Sequence, residues 1–294
     1  MPSKEFDALV DQLFSSPMPA DIEGMREAYR AMGDAFPLPG DVDVTAFELG
    51  GRPAEWLQVA GTPRNMVLLV HGGGYCIGGL DSHRHLAGEI ARQTGSRVAV
   101  IDYRLAPEHP YPAGLEDLKL AYGELLAAAG DEKLALVGDS AGAGLAMALL
   151  AELLQTKQPL PACVYCMSPW ADLANDATSR MLKLKVDPLA NNDQLAMMAS
   201  HYAGDIDIGD PRISSAFADF RGGPPVFIQA GTAELLVDDA LNLAKSLAHA
   251  DVDVDVEIRA DMVHVWPWFF PAIPEGADAL SRACAFLSRH FRDP

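Results

Sequence analysis

A serine lies among small residues at the point where one apolar run gives way to another. Residues Gly138 to Gly142 read GDSAG, a GxSxG pattern between a predicted strand and a predicted helix. Glycines at both ends relieve the crowding of so sharp a turn, because they carry no Cβ. The turn would expose Ser140 at the carboxyl edge of a sheet, with the amides of the helix start facing it. The pattern favours a nucleophilic serine over a helix start of small residues without chemistry.

A general base is the second requirement, because a serine hydroxyl alone is a weak nucleophile. In chains with this turn the base follows both the serine and the acid. His264 comes just after the last predicted strand, from which its ring can reach back over the sheet, and we favour it. His249 ends a helix and His290 lies in a charged terminal helix, so we expect both at the surface. His201 lies in a segment of weak periodicity and faces either substrate or solvent.

An acid is needed to hold the imidazole in one tautomer and to stabilise the imidazolium. The strand-like run PVFIQAG is followed by three carboxylates, Glu234, Asp238 and Asp239. Glu234 is nearest the strand end and is the favoured acid. Asp238 is its main competitor, although Asp238 and Asp239 open the next helix, where carboxylates commonly act as ordinary caps.

A glycine run forms a second, independent signal in LLVHGGGYCIGG, residues 68–79. Consecutive glycines after a buried strand leave backbone amides free to converge on an anion. The amides of Gly73 and Gly74, with that of Ala141, are predicted to form an oxyanion hole. The alternatives are a flexible loop or a phosphate-binding nest. The acidic composition and the absence of a following GK[ST] argue against a nucleotide.

Composition limits the partners of this 294-residue chain, which is 49% hydrophobic and 21% charged. That balance is typical of a globular protein. Its formal net charge of -19 would repel nucleic acid and an anionic membrane surface. The N-terminus lacks the pattern of a signal peptide, and no apolar run reaches the roughly 18 residues of a spanning helix. We expect a cytoplasmic protein without a membrane span, a nucleic-acid partner or a cofactor.

The cysteines Cys76, Cys163, Cys166 and Cys284 are few for this length, and a reducing cytosol would keep them as thiols. Cys163 and Cys166 form a CxxC that could serve redox chemistry or a metal. It lies in the strand-like ACVYCM, and no second Cys or His pair stands at zinc spacing. We therefore interpret these cysteines as structural and predict no metal site.

Apolar runs alternate with helical patterns, which indicates a largely parallel sheet with helices on both faces. We predict strands in NMVLLV, RVAVID, KLALVG, ACVYCM and PVFIQAG. A last strand, DVDVDVEIRA, alternates aliphatic residues with acids and suits a sheet edge with one wet face. Two amphipathic helices precede the sheet, and Asp21 can cap the second. We divide the chain into an N-terminal helical cap segment (1–40), a core (41–175), a cap insertion (176–215) and the rest of the core (216–294).

Six pieces of the sequence resemble one family and occur in its order from about residue 65 to the C-terminus. They are HGGGYCIGG, SHR, DYRLAPEHPYPAGLED, GDSAG, SPWADL and HVW. The chain thereby resembles the GDSAG branch of the bacterial hormone-sensitive-lipase-like esterases, in the α/β-hydrolase superfamily. The resemblance implies an α/β-hydrolase fold with a mostly parallel central sheet, flanking helices and a helical cap.

The resemblance also implies an activity, the cofactor-free hydrolysis of short-chain acyl esters. Ser140 would be the nucleophile, His264 the base and Glu234 the acid of a triad, with the oxyanion amides named above. Family members often form homodimers by pairing their last strands, and here such a pair would place two acidic strands side by side. Five aromatic residues are candidates for the acyl pocket or simply for packing the cap onto the sheet: Phe14, Tyr29, Phe36, Tyr202 and Phe217.

Three other functions compete with this prediction. The first is a small-ligand-binding protein on the same fold, because a fold does not fix function. The second is a metal hydrolase that uses His83 and His85 of SHRH, a spacing that is weak by itself. The third is an amidase or peptidase with the same triad, since leaving-group preference depends on the pocket.

Overall fold

An eight-stranded sheet forms the centre of the molecule. The computed structural model describes residues 2–61, 65–174 and 177–292. The strands are β1 (Val42–Leu49), β2 (Arg52–Val59), β3 (Met66–Val70), β4 (Arg97–Ile101), β5 (Leu134–Asp139), β6 (Val164–Met167), β7 (Val226–Ala233) and β8 (Val254–Val263). Their order is β1-β2-β4-β3-β5-β6-β7-β8; β2 is antiparallel to both neighbours, and the other pairs are parallel. The mostly parallel sheet predicted from the sequence is confirmed.

Helices cover both faces of this sheet. They are α1 (Lys4–Ser15), α2 (Ile22–Asp34), α3 (Leu80–Thr94), α4 (Ala113–Ala129), α5 (Ala141–Thr156), α6 (Thr178–Leu182), α7 (Asn192–Ala203), α8 (Val237–His249) and α9 (Pro274–Phe291). Leu68 and Val70 of β3 pack into a core shared with α4, α5 and α8, whereas Val67 and Leu69 pack into one shared with α3 and α9. Because both faces are buried, β3 is a continuous apolar run in the sequence.

The hairpin of β1 and β2 was not predicted from the sequence. Strand β1 is buried only at its two end residues, and most positions of β2 are partly exposed, so neither forms the apolar run that marks the other strands. The turn consists of Gly50 and Gly51, with φ of 61° and 75°, directly between the paired residues Leu49 and Arg52. A Gly-Gly pair between two alternating segments is a strong hairpin signal, because such two-residue turns require positive φ. That dipeptide was the available sequence signal.

Strand β8 is an edge strand, as predicted, although it begins at Val254 and not at the first residue of the acidic run. Val256 remains 43% exposed, so the aliphatic face is only partly covered. The acidic face is not simply wet, because α9 contributes two ion pairs to it: Arg289 with Asp255 and Arg282 with Glu257, each at 2.8 Å. Homodimer formation through the free edge of β8 stays a prediction.

The two N-terminal helices form as expected. The Asp21 carboxylate accepts a hydrogen bond from the Gly24 amide at 2.8 Å and caps α2, while α1 is tied to α9 through Ser3 and Glu275. None of the helices in the described ranges is both long and apolar enough to cross a membrane. The division into cap and core segments stays a prediction, and its boundary at 175/176 lies outside the described residues.

A buried ion pair joins α6 to the body of the protein. Arg180 on α6 and Asp239 on α8 lie 3.1 Å apart, with side chains 2% and 0% exposed. Asp239 also accepts hydrogen bonds from the amides of Ala171 and Asp172. Burial raises the pKa of Asp239, and the guanidinium and these amides oppose that rise. Asp239 is therefore a buried anchor for α6 and not the ordinary helix cap that its position suggested.

We predict that Arg180→Met destabilises the protein by about 3 kcal/mol or more, because it leaves Asp239 as a buried charge without its partner. Urea unfolding measures the loss. The matched control is Arg289→Met, whose ion pair with Asp255 is exposed and should contribute less than about 1 kcal/mol. Equal losses in the two variants would contradict an anchoring role for Arg180.

Candidate active site

Ser140 occupies a strained turn between β5 and α5. Its φ of 50° and ψ of -122° are unusual for a residue with a side chain. Its amide donates to the Met167 carbonyl at 2.8 Å, and its own carbonyl accepts from the Trp170 amide at 2.9 Å. These bonds to the end of β6 and to the segment after it hold the turn, with the Ser140 side chain at the carboxyl edge of the sheet.

The two glycines of GDSAG are required by close backbone contacts. A Cβ on Gly138 would lie 2.6 Å from the Ala143 nitrogen, and one on Gly142 would lie 2.1 Å from the Val70 carbonyl oxygen. Both distances are shorter than a Cβ tolerates, so any other residue would force strand and helix apart. The steric reason given for these glycines in the sequence analysis agrees with the structure.

Three side chains predicted from the sequence form one hydrogen-bonded series. His264 Nε2 lies 2.9 Å from Ser140 Oγ, and His264 Nδ1 lies 3.0 Å from Glu234 Oε2. Because a carboxylate can only accept, we assign the proton to Nδ1, which leaves Nε2 as the acceptor facing the serine hydroxyl. The arrangement can take a proton from Ser140 and stabilise the charge that then forms on the ring.

Neighbouring strand ends bring the acid and the histidine together. Glu234 directly follows β7 and His264 directly follows β8, and the last paired residues of these parallel strands are Ala233 and Val263. Gly231 permits this approach, because a Cβ there would lie 1.9 Å from the Met262 carbonyl oxygen. The two side chains thus leave the sheet at the same edge.

Ser168 supports this constellation and was missed as a site residue, although it lies in the SPWADL piece noted in the sequence. Its hydroxyl accepts a hydrogen bond from the Val265 amide at 3.0 Å and so fixes the residue after His264. Its φ of 45° places it in a turn next to the Ser140 loop. A serine following a buried strand gives no distinctive signal, and only the three-dimensional arrangement shows what it contacts.

The electrostatics of the site make His264 a stronger base than a free imidazole. Burial would lower the pKa of His264, but the Glu234 hydrogen bond and charge, with the charges of Asp187 and Asp139, outweigh it, so the pKa lies above 6.5. Burial raises the pKa of Glu234, and its hydrogen bond with His264 limits that rise. Each group therefore stabilises the charged form of the other.

The three predicted oxyanion amides lie beside Ser140. Gly73 and Gly74 adopt φ of 114° and 58°, and both line the same pocket as Ser140 and His264. Within the described ranges, the amides of Gly73, Gly74 and Ala141 donate no hydrogen bond to another protein group. Asp139 holds the glycine loop in place, because its carboxylate accepts from the Gly72 amide at 2.8 Å. Such free amides can stabilise negative charge on an oxygen that binds above Ser140.

The pocket over Ser140 is small and mostly apolar. Its volume is about 100 Å³, and methionines from α2 and α7, including Met25, Met32 and Met198, form much of its wall. An apolar cavity of roughly 150 Å³ holds one benzene ring, which gives the scale. Glu234 is fully buried and does not line the pocket, whose polar lining residues are Tyr29, Asp139, Ser140, Gln194 and His264 together with the glycine loop.

The candidate pocket aromatics have different positions. Tyr29 lines the pocket. Phe36 packs against Trp268 and His85, and Tyr202 stacks on Tyr75 at 3.9 Å between ring centres. Phe14 and Phe217 are about half exposed and are not among the residues that line this pocket.

The competing site residues lie elsewhere. Asp238 accepts from the Ser179 amide at 2.7 Å, and the His249 side chain is exposed. His201 and His290 are half-buried and away from the pocket walls.

His83 and His85 are both buried but have separate partners. His83 Nε2 lies 2.9 Å from Asp139, and His85 Nε2 lies 3.1 Å from the Trp268 carbonyl oxygen. In the part of the chain that the structure describes, no group of three or more His, Cys, Asp or Glu residues could hold a metal ion. The four cysteines are buried free thiols, with Cys166 on β6 and Cys163 just before it.

Comparison with known proteins settles the family. Residues 67–267 match the model of an α/β-hydrolase-fold family. A solved structure described as an esterase from the bacterial hormone-sensitive lipase family is 38% identical, with a TM-score of 0.95 over 99% of this chain and 100% of that one. The chain belongs to this esterase family. The chain therefore has the α/β-hydrolase fold and is a carboxylic ester hydrolase.

Two relatives known by sequence, and a further solved structure, agree with this family assignment. An acetyl-hydrolase from Streptomyces hygroscopicus is 40% identical over 272 residues, which cover 91% of this chain and 90% of the relative. An esterase from Acinetobacter venetianus is 33% identical over 255 residues, which cover 86% of this chain and 84% of the relative. The solved structure of EstE5 is 34% identical, with a TM-score of 0.93 over 98% and 99% of the two chains. These relatives match almost the whole length of the esterase chain.

We predict that kcat/KM for an ester falls as the pH drops through a pKa above 6.5, because only neutral His264 can accept a proton. Glu234→Gln removes the charge that raises the pKa of His264, so the acid limb should move to lower pH. The rate at the plateau should also fall by about 100-fold or more, because the ring loses its fixed tautomer. The measurement is a pH profile of kcat/KM.

The control for that experiment is Asp238→Asn, which changes a neighbouring carboxylate bound to the Ser179 amide. It should keep the pH profile and most of the rate. A large loss of kcat/KM in Asp238→Asn, with a normal pH profile in Glu234→Gln, would mean that Asp238 and not Glu234 is the acid that acts on His264.

Proposed function

We propose that the esterase hydrolyses short-chain acyl esters through a Ser140–His264–Glu234 triad and a covalent acyl-enzyme. The observation that carries the proposal is the 2.9 Å contact between His264 Nε2 and Ser140 Oγ, with Glu234 bound to the other ring nitrogen. A base and a nucleophile within hydrogen-bond distance, with the base oriented by a third group, are the requirements for activating a serine.

Acylation begins when Ser140 Oγ attacks the ester carbonyl carbon and His264 Nε2 takes the hydroxyl proton. The carbonyl oxygen becomes an oxyanion, which accepts hydrogen bonds from the amides of Gly73, Gly74 and Ala141. Loss of one such donor typically costs roughly 100- to 1,000-fold in rate. The carbon–oxygen bond to the alcohol then breaks, and His264 gives its proton to the departing alkoxide.

Deacylation repeats these steps with water. His264 takes a proton from a water molecule, whose oxygen attacks the acyl carbon on Ser140. The second oxyanion accepts hydrogen bonds from the same amides. When this tetrahedral intermediate collapses, the bond from the acyl carbon to Ser140 Oγ breaks and His264 returns its proton to Oγ. The products are the carboxylic acid, the alcohol and the regenerated serine, so the cycle needs no cofactor.

The preference for short acyl chains rests on the size of the pocket, about 100 Å³ above Ser140. The names of relatives agree with it, since one is an acetyl-hydrolase and EstE5 crystals were soaked with p-nitrophenyl butyrate. We infer that the acyl chain lies against the methionines of α2 and α7.

The test of the reaction uses p-nitrophenyl esters of increasing acyl length. Wild-type protein should cleave acetyl and butyryl esters fastest, and Ser140→Ala should lose nearly all of this activity while retaining its fold by circular dichroism. If folded Ser140→Ala turned over esters as fast as the wild type, another residue would have to be the nucleophile. Parallel assays on p-nitroanilides separate an esterase from an amidase.

The pocket wall gives a second test. Met32→Ala removes a half-buried side chain from the wall, which should raise kcat/KM for hexanoyl relative to acetyl esters by about threefold or more, since a buried methylene contributes about 0.8 kcal/mol. The matched control is Met181→Ala, because Met181 is 71% exposed. An unchanged chain-length profile in Met32→Ala would contradict an acyl-binding role for this wall.

A further inference from the structure

Asp187 is a buried carboxylate that the reaction described above does not use. It lies between α6 and α7 and is only 5% exposed. Its Oδ1 accepts from the amides of Leu189 at 2.9 Å and Ala190 at 3.1 Å, while Oδ2 accepts from the amide of Leu235 at 2.8 Å. One carboxylate therefore binds three amides from two distant parts of the chain.

The two chain segments that Asp187 binds lie at different places in the site. Leu189 and Ala190 form part of the pocket wall over Ser140. Leu235 directly follows Glu234, the residue that binds His264 Nδ1. Asp187 thus links the pocket wall to the loop that carries the acid.

An ordinary surface turn explains only half of this arrangement. Aspartates that accept from amides two or three residues ahead commonly stabilise local turns. Asp207 does this with the Gly209 amide at 2.8 Å, and it is exposed. The bond from Leu235 to Asp187 instead spans 48 residues in sequence and is buried.

Asp187 also adds a second negative charge near the histidine. The charged groups that act on His264 are Glu234, Asp187 and Asp139, and the charge of Asp187 raises the pKa of both His264 and Glu234. Burial raises the pKa of Asp187 itself, which the charge of His264 and the three amides oppose. The two oxygens face only donors, as suits an ionised carboxylate.

We propose that Asp187 is a positioning residue that fixes the pocket wall and the acid loop as one unit and acts on the proton-accepting histidine through that loop and its charge. The inference rests on the proposed function, since it concerns the same Ser140, His264 and Glu234. It adds a residue from the predicted cap insertion to the set on which turnover depends.

The first test compares Asp187→Asn with the matched control Asp207→Asn. The substitution removes the negative charge. It also replaces one carboxylate oxygen by an NH₂ group, which cannot accept the hydrogen bond that a backbone amide donates to that oxygen in the wild type. The pKa of His264, followed by NMR of the imidazole, should fall by about half a unit or more, with a parallel shift of the acid limb of kcat/KM. The kcat should drop about tenfold or more on acetyl esters, and Asp207→Asn should change neither quantity.

The NMR titration separates this inference from the proposed function. If wild-type protein turns over no ester, the proposed function fails. If the wild type turns over esters and folded Asp187→Asn keeps the wild-type His264 pKa and kinetics, only the role of Asp187 fails.

A measurement on wild-type protein covers the case in which Asp187→Asn does not fold. Hydrogen–deuterium exchange at rising urea should show that the amides of Leu189, Ala190 and Leu235 open together, with similar protection and the same dependence on urea. Independent opening of the pocket wall and the acid loop would overturn the proposal.

Discussion

The backbone turn at Ser140 is the constraint on which the rest of the site depends. A positive φ at a residue with a side chain is unfavourable and persists only where the surroundings hold it. Here the contact of Gly142 with the end of β3 and the hydrogen bonds of Ser140 to the end of β6 and the segment after it do so. The same turn starts α5, so one local geometry fixes the proposed nucleophile, Ser140, and one proposed oxyanion amide, that of Ala141.

Convergence of strand ends supplies the remaining parts. The glycine loop follows β3, the serine follows β5, the acid follows β7 and the histidine follows β8, and these strands are all parallel. Their carboxyl ends therefore meet at one edge, as is general for open α/β sheets. Burial then makes the interactions strong, because Glu234 is 0% and His264 only 7% exposed.

Much of this was predictable because the relevant signals are local. Glycine spacing, a strand-to-helix transition and the histidine after the last strand identified the candidates, and the parallel strands were continuous apolar runs. The hairpin of β1 and β2 was missed because its strands are half exposed and lack such runs. Ser168, Asp187 and the Arg180–Asp239 pair could not be predicted, because their partners are far away in sequence and the residues themselves are common in loops and helix starts.

The central claim is that Ser140 carries the acyl group during turnover. The most direct measurement is rapid-quench mass spectrometry of the enzyme during hydrolysis of p-nitrophenyl acetate, with peptide mapping of the acetylated residue. The account predicts a burst of p-nitrophenol of about one equivalent and acetylation of the peptide that contains Ser140. Turnover with an acetyl group on another residue, or a burst with Ser140 unmodified, would contradict it.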